Sequence, residues 1–331
     1  LLRNKLLTAD FHFDSDPLTE YRWGLLYVLK EEIYKEGIEE LIVLGDLTEK
    51  KDNHNSTLVT RVVDFFSQLA SICKVTILKG NHDYIKEDKP FFQFLEKIPN
   101  VRFITYPTVD GDSFYVPHTF GELPVVPSGI KKVFMHQTFS GAISNNSTRV
   151  LLPGKAIPED FHGLEIFSGD IHRQQKLRNI DYVGAPYHVY FGDDYYPRFI
   201  ILKDNKHRFN SFLNYEFPAR STIVISPNTM DNLKMIMQTV QLKVRLLLTN
   251  AEAMELGKHK KAIKDFCNDP INNHIQLISI EVRKQDNEEV KSVDFTFPTL
   301  YIETQAEILQ RYAKIMNLPA KMIKTGLSII A

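Results

Sequence analysis

Cysteine, net charge and long apolar runs are what this 331-residue chain has least of, and each shortage excludes something. Its two cysteines, Cys73 and Cys267, lie far apart and in no C-x-x-C pair. That leaves room for one disulfide at most, excludes a disulfide framework, and fits a reducing cytoplasm. With 40 basic and 41 acidic side chains the formal charge is −1, which excludes a wholesale polycation such as a histone-like DNA coat. It does not exclude an enzyme of nucleic acids, because a global sum hides local asymmetry. No stretch reaches the ~18 apolar residues of a membrane helix. Residues 1–7 are not followed by a small-residue cleavage site, and Asp10 and His12 arrive too early for a signal peptide. Repeats and low-complexity segments are lacking as well. The expectation is a soluble protein of the cytoplasm, bacterial or phage-infected, with no membrane partner.

The local asymmetry is present. Residues 1–204 hold 23 basic and 28 acidic side chains, and residues 205–331 hold 17 and 13, so the front is acidic, as expected of a segment that collects carboxylates for metals. Short, largely apolar runs at 6–9, 41–44, 75–78, 132–135 and 164–167 each lead within two residues to Gly, His or an acidic residue. Helical spacing over 18–36 and 57–71 separates the first three. This alternation predicts βαβ organisation with a largely parallel sheet, whose sites form beyond the strand C-termini. Strands at 182–184 and 199–202 would finish that domain. Beyond residue 221 the pattern changes to strands at 222–226, 243–248 and 275–282 and helices at 230–238 and 251–266. The resulting division is a catalytic domain over 1–204, a smaller α/β cap over 215–290, and a tail over 291–331. The tail follows a charged linker (283–293) and holds two amphipathic helices (304–316 and 320–330).

The apolar runs end in five clusters of metal-ligating side chains: Asp10-Phe11-His12, Gly45-Asp46, Gly80-Asn81-His82-Asp83, His136, and Asp170-Ile171-His172. The D-x-H spacing lets two side chains of one loop converge on an ion. Glycine ahead of Asp46 and Asn81 permits a tight turn close to it. Mixed carboxylate, amide and imidazole donors favour Mn, Fe or Zn over Ca. A lone histidine at a strand end is usually a surface or core residue, whereas five such clusters after five strands point to a metal centre.

This series resembles that of the calcineurin-like metallophosphoesterases, D-x-H, G-D, G-N-H-D/E, H, G-H-x-H, over residues 5–202. The resemblance implies a sandwich of two mixed sheets flanked by helices, with an α/β cap and C-terminal helices. It also implies two divalent ions, Mn ahead of Mg, Fe or Zn, that activate water for in-line attack on phosphorus. Asp10, His12 and His172 would bind the first ion and Asn81, His136 and Asp170 the second, with Asp46 between them. His82 would contact the scissile phosphate and help protonate the leaving oxygen; Asp52 and Asp83, by position, are either carboxylates that orient His82 or solvated loop carboxylates. One position departs. Asp170 stands where the family has the first His of its last motif, which adds negative charge to the second site and shifts its preference towards Mn or Mg.

Gly169-Asp170-Ile171-His172, followed by Tyr182-Val183-Gly184-Ala185-Pro186, resembles the tail of one branch, the DNA double-strand-break repair nucleases. These are the SbcCD-type nuclease subunit and its phage recombination counterparts. That resemblance implies DNA ends as substrate and both exonuclease and endonuclease activity. It also implies an SMC-like coiled-coil ATPase partner docked on the C-terminal helices, and a homodimer within a heterotetramer. Lys50, Lys51 and His54 after Asp46, and Arg173 and Lys176 after His172, are the expected phosphate contacts. Lys258, Lys260, Lys261 and Lys264 in the cap are either a further contact or a solvated helix face. Tyr187, Tyr190, Tyr195 and Tyr196 either stack on bases or pack the turn. The rival reading is a phosphoesterase of small molecules or proteins with the same metal centre.

Overall fold

The apolar runs become strands buried on both faces. The computed structural model describes residues 4–282 apart from 52, 87–88, 147–149, 205–206, 214–216, 228, 230–232, 234–239, 269–271 and 273–274. Its first half runs β1 (Lys5–Thr8), α1 (Leu25–Glu36), β2 (Glu40–Val43), α2 (Ser56–Ala70), β3 (Lys74–Leu78), a hairpin of β4 (Tyr84–Lys86) and β5 (Lys89–Pro90), and β6 (Val101–Ile104). Then come β7 (Thr108–Asp110), β8 (Ser113–Val116), β9 (Lys132–His136), β10 (Glu165–Gly169), β11 (Gln175–Leu177), β12 (Ile180–Tyr182), β13 (Arg198–Lys203) and β14 (His207–Phe212). They form two six-stranded sheets, ordered β14-β13-β1-β2-β3-β6 and β11-β12-β10-β9-β8-β7. The strands from β1 to β6 in the first sheet are parallel, with β13 and β14 antiparallel beside them. In the second, β8, β9, β10 and β12 are parallel between antiparallel edges β7 and β11. This is the expected sandwich of mixed sheets.

Period-two alternation assigns each strand residue a layer. Leu6, Leu41 and Val43 share a core with Leu29 and Ile33 of α1 and Val62 and Phe66 of α2. Leu7, Ile42 and Leu44 meet Phe134 and Phe167 between the two sheets. Val133 and Met135 point the other way, into a third core. With both faces covered, the central strands read as continuous apolar runs, which is why they were visible in the sequence.

Two local features differ from expectation. The helix predicted over 18–36 is two pieces. Asp16 caps a 3₁₀ segment, Pro17–Gly24, by accepting from Leu18 N (2.9 Å), and α1 begins only afterwards. The tighter winding turns Arg22 inward, where its guanidinium donates to His12 O and to Val189 O (2.7 Å). Strands β6, β7 and β8 had no counterpart, because they are short and interrupted by Arg102 and Asp110. The one available signal was the Asp-Gly turn joining β7 to β8, with Gly111 at φ +61°.

Strand β2 also carries a buried carboxylate. Glu40 pairs with Lys5 (3.2 Å) and Lys74 (3.1 Å) and accepts from Thr76 Oγ1 (2.6 Å). Burial pushes its pKa up, but these partners win and hold it below the usual 4.5. Since the folded-state pKa lies below the unfolded one, the stabilisation is complete above about pH 4.5 and is lost as pH falls. Glu40→Gln is expected to lower the unfolding free energy at neutral pH by about 3 kcal/mol. It should also flatten the acid side of the stability curve, and denaturant melts across acid to neutral pH check both.

After β14 the chain builds a three-stranded parallel sheet of β15 (Ala219–Ile225), β16 (Val240–Leu248) and β17 (Ile275–Val282). Its core, with Ile225, Leu242, Val244, Leu246 and Ile263, is its own. The helix predicted over 251–266 splits into a one-turn α3 (Asn250–Ala253), fixed by a Thr249–Glu252 capping box, and α4 (Leu256–Asn268). Lys258, Lys260, Lys261 and Lys264 of α4 are exposed. Gln241 Nε2 donates to Leu18 O (2.8 Å), and the Arg220 and Lys243 cations lie over Phe191 (4.0 and 4.4 Å). Residues 1–284 form one compact unit. The helix predicted over 230–238 lies mainly, and the linker and C-terminal helices wholly, outside the described residues. No described helix is long and apolar enough to cross a membrane.

Candidate metal centre

Four of the expected ligands stand on backbone that L-residues avoid: φ is +58° at Asp10, +45° at His12, +56° at Asp46 and +79° at Asp170. Each such residue costs on the order of 1–2 kcal/mol, so something must hold it. Main-chain bonds do part of this. The amides of Asp10, His12 and Phe13 donate to the carbonyls of Gly45, Asp46 and Leu47 (3.0, 3.0 and 2.9 Å), zipping the loop after β1 onto the loop after β2. Asp170 N donates to Asp10 Oδ1 (3.1 Å), and Asp83 braces the loop at Asp46. Its buried carboxylate accepts from Asp46 N (2.8 Å), Leu47 N (2.8 Å) and Gly80 N (2.7 Å). Burial, with Asp46 adding to it, pushes Asp83 up to about 6 against those three N–H donors. Gly80 permits this approach, since a Cβ there would lie 2.2 Å from Asp46 Oδ1.

The loops gather three carboxylates and four imidazoles. His12 Nε2 faces His172 Nε2 at 3.1 Å. Asp46 Oδ2 lies 3.6 Å from His12 Nε2, and its Oδ1 lies 3.4 Å from His136 Nε2. The Asn81 carboxamide is 2.9 Å from His136 Nε2 and 3.0 Å from Asp46 Oδ2. Asp170 Oδ1 lies 3.6 Å from His136 Nε2, while Oδ2 accepts from Thr138 Oγ1 and the backbone N donates to Asp10 Oδ1 (3.1 Å). Asp46 thus stands between one set made of Asp10, His12 and His172 and another made of Asn81, His136 and Asp170.

This donor set fits cations. Two imidazole nitrogens facing each other need a proton or a cation between them. Burial, reinforced by His12, holds His172 well below its ordinary pKa, so its ring is neutral and able to ligate. Desolvation pushes Asp10 well up despite His136, and its Oδ2 is buried without a hydrogen-bond partner. Ligand atoms of Asp10, His12 and His172, and of Asp10, Asp46 and His136, lie within 4.8 Å of one another in each group. Mixed oxygen and imidazole donors of this kind suit divalent transition ions.

The sequence model of the calcineurin-like phosphoesterase family matches residues 5–207. The chain belongs to this family. As a calcineurin-like phosphoesterase it is a hydrolase that works with divalent metal ions. It is 22% identical over 236 residues to the 244L protein of Invertebrate iridescent virus 6, which carries a provisional phosphoesterase name; the match covers 60% of this chain and 81% of that protein. Among solved structures it is similar to the crystal structure of nuclease MPE from Pseudomonas putida. That match has 15% identity and a TM-score of 0.32, and covers 62% of this chain and 87% of the other.

Two residues of the phosphoesterase site had not been anticipated. Glu49 Oε2 lies 3.2 Å from His12 Nδ1, its Oε1 accepts from Tyr190 OH (3.1 Å), and its backbone carbonyl accepts from His82 Nδ1 (2.6 Å). Burial pushes its carboxyl up, but His12 and its other partners hold it at about 2. His118 stacks on Tyr84 with rings 6.0 Å apart, receives that phenol at 3.1 Å, and lies 6.1 Å from the His136 ring. Burial, with His136 adding to it, lowers His118 to about 3. Three residues after Asp46, Glu49 was at least in a motif loop, whereas His118 had no local signal.

Other expectations are corrected. His82 is oriented by the Glu49 carbonyl and not by Asp83, whose oxygens are taken by backbone amides; Asp52 lies outside the described residues. His54, expected at DNA, packs on Phe91 (4.3 Å) with Nε2 2.8 Å from Thr48 Oγ1. Arg173 donates to the carbonyls of Ser144 (2.9 Å), Asn145 (3.2 Å) and Asn146 (3.0 Å), so its guanidinium is engaged in tying a loop. Lys50 and Lys176 are exposed. Tyr187 is fully buried and donates to Phe11 O, and Tyr195 donates to Tyr187 O (2.9 Å), so both pack the turn, while Tyr190 and Tyr196 are exposed. Gly184, at φ +84°, lets its turn pack on the backbone of the last motif: a Cβ there would lie 2.8 Å from His172 O, which accepts from Ala185 N (3.0 Å).

Proposed function

We propose that this phosphoesterase is a nuclease acting on DNA ends together with an SMC-like coiled-coil ATPase. The observation that carries the reading to nucleic acid is a wall of rings beside the metal centre. Phe120 meets the stacked pair of Tyr84 and His118, at 6.1 and 5.0 Å. The Lys51 and Lys79 ammonium groups lie over Tyr84, at 5.4 and 4.8 Å. Phe120, about two-thirds exposed, lies in an open cleft of about 850 Å³ whose lining joins Leu123, Val125 and Lys155 to the carboxylates of Glu122, Glu159 and Asp160. Tyr84 and Lys79 are buried and brace the wall from behind, so Phe120 and Lys51 are the parts an unpaired strand would meet, a base on the ring and a phosphate at the ammonium group. A small phosphoester needs no such wall.

When bound, two divalent ions supply water activation and neutralise charge on the phosphoryl group. The chain's own part is positional. Asp46 Oδ1 accepts from His82 N (2.9 Å), which ties His82 to the residue between the two donor sets. With its Nδ1 bound to Glu49 O, His82 presents Nε2 for proton delivery to the leaving oxygen. The tail from Gly169 to Pro186 supports the ATPase partner and a homodimer within a heterotetramer, with residues 291–331 as the docking segment.

The test compares Mn²⁺-supported hydrolysis of single-stranded DNA, linear duplex and a chromogenic phosphodiester. DNA is expected to be the better substrate. Phe120→Ala is expected to raise the KM for single-stranded DNA about 10-fold, the worth of one base stack, and to leave the chromogenic ester unchanged. Hydrolysis of the chromogenic ester alone would move the reading to a small-molecule or protein phosphoesterase.

A further inference from the structure

We propose that Glu49 is the positioning residue for two imidazoles at once, its carboxylate orienting His12 towards the first ion and its main-chain carbonyl orienting His82 towards the substrate. The inference rests on the metal reading of the cluster and goes beyond it by separating two roles within one residue.

The geometry is specific. An imidazole that gives its Nδ1 proton to an acceptor keeps the Nε2 lone pair for a ligand. Glu49 Oε2 lies 3.2 Å from His12 Nδ1, an ion-pair contact between two buried atoms otherwise without a hydrogen-bond partner, and the opposite nitrogen of that ring faces His172 Nε2 at 3.1 Å and Asp46 Oδ2 at 3.6 Å. The His82 ring meets the His12 ring edge to face, 4.9 Å between centroids, and its Nδ1 is 2.6 Å from the Glu49 carbonyl. The side chain of Glu49 is itself fixed, since Tyr190 OH donates to Oε1 (3.1 Å). Its backbone is fixed as well, since Glu49 N donates to Phe13 O (3.0 Å), across the same zipper that holds Asp10 and His12. One residue therefore couples the metal-binding loop to the proton donor.

Because the two roles use different atoms, substitution separates them. Glu49→Ala removes the carboxylate and keeps the carbonyl. Calorimetric titration with Mn²⁺ alone is expected to show the tighter site weakened 10- to 100-fold, the range for loss of an outer partner of a metal-binding histidine. At saturating Mn²⁺ the kcat should return to within a few-fold of the parent, because His82 keeps its acceptor. Glu49→Gln retains an oxygen for His12 Nδ1, so its Mn²⁺ affinity should fall between the two. The Glu49 side chain is about a quarter exposed, so neither change opens a deep closed cavity, and thermal melts of both variants check folding. Unchanged Mn²⁺ affinity in Glu49→Ala would overturn the inference, as would a kcat that saturating Mn²⁺ fails to restore. Parent protein that binds no Mn²⁺ would instead overturn the metal reading beneath it.

Discussion

Asp46→Asn is expected to lower phosphodiester hydrolysis on the order of 10³-fold and to reduce the number of Mn²⁺ ions held per chain. The reason is where this carboxylate stands. Its two oxygens lie 3.4 Å from His136 Nε2 and 3.6 Å from His12 Nε2, so each faces one donor set. Burial works against its charge, but His136 first, then His12 and His82, hold it far below the ordinary carboxylate range. An amide keeps the shape, and one oxygen can still accept from His82 N, so the loop geometry should survive. What is lost is the negative charge that holds the cations together. Several kcal/mol of transition-state stabilisation come from such cations, and about 1.4 kcal/mol corresponds to tenfold in rate. Single-turnover kinetics at saturating Mn²⁺, with metal counted by elemental analysis, check both parts. A variant that keeps its full metal content and rate would remove Asp46 from the bridging position.

Asp83→Ala is expected to be the most damaging change outside the ligands, acting through stability. It strips the acceptor from three buried amides, those of Asp46, Leu47 and Gly80. Each orphaned donor costs about 1–3 kcal/mol. Part of that is offset by relief of a buried charge close to Asp46, the pressure that pushes Asp83 up to about 6. The net expectation is a loss of about 3 kcal/mol in unfolding free energy. Activity should fall with it, because Asp46 holds its left-handed backbone on one side of this clamp and Asn81 follows Gly80 on the other. Asp83→Asn should also destabilise, since its amide group would meet N–H donors with another donor. Urea melts of the three proteins decide the matter, and an Asp83→Ala variant as stable as its parent would show that the clamp carries no weight.

How much of the site was legible beforehand follows from the range of the forces involved. Asp10, His12, Asp46, Asn81, His136, Asp170 and His172 could be picked out because each follows an apolar run, and a parallel strand buried on both faces is a local pattern. Asp170 shows the same logic in a harder case. Its place after β10 predicted ligation, and one of its oxygens does face His136 at 3.6 Å, while the other binds Thr138, which no pattern foretold. Arg173 and His54 show the limit of reading by position, because a positive or polar side chain beside a motif looks alike in sequence whether it faces phosphate or ties a loop. Only the carbonyls of residues 144–146 and the ring of Phe91 distinguish the cases.

By itself, then, the sequence determined the alternation of the central buried strands with helices and the chemical kinds of donor delivered to their C-terminal ends. Alternation and strand-end composition are properties of neighbours along the chain. The tertiary structure alone decided how those donors are aimed. The left-handed backbone at Asp10 and His12 is held by carbonyls of residues 45 to 47, and that at Asp46 by a carboxylate 37 residues away. His136 is turned by Leu44 O, 92 residues distant. Glu49 and His118 enter the site through contacts with residues outside their own loops, His12 and His136. Aim depends on hydrogen bonds that exist only once the sheets have closed, and no stretch of chain short enough to read as a motif contains both partners.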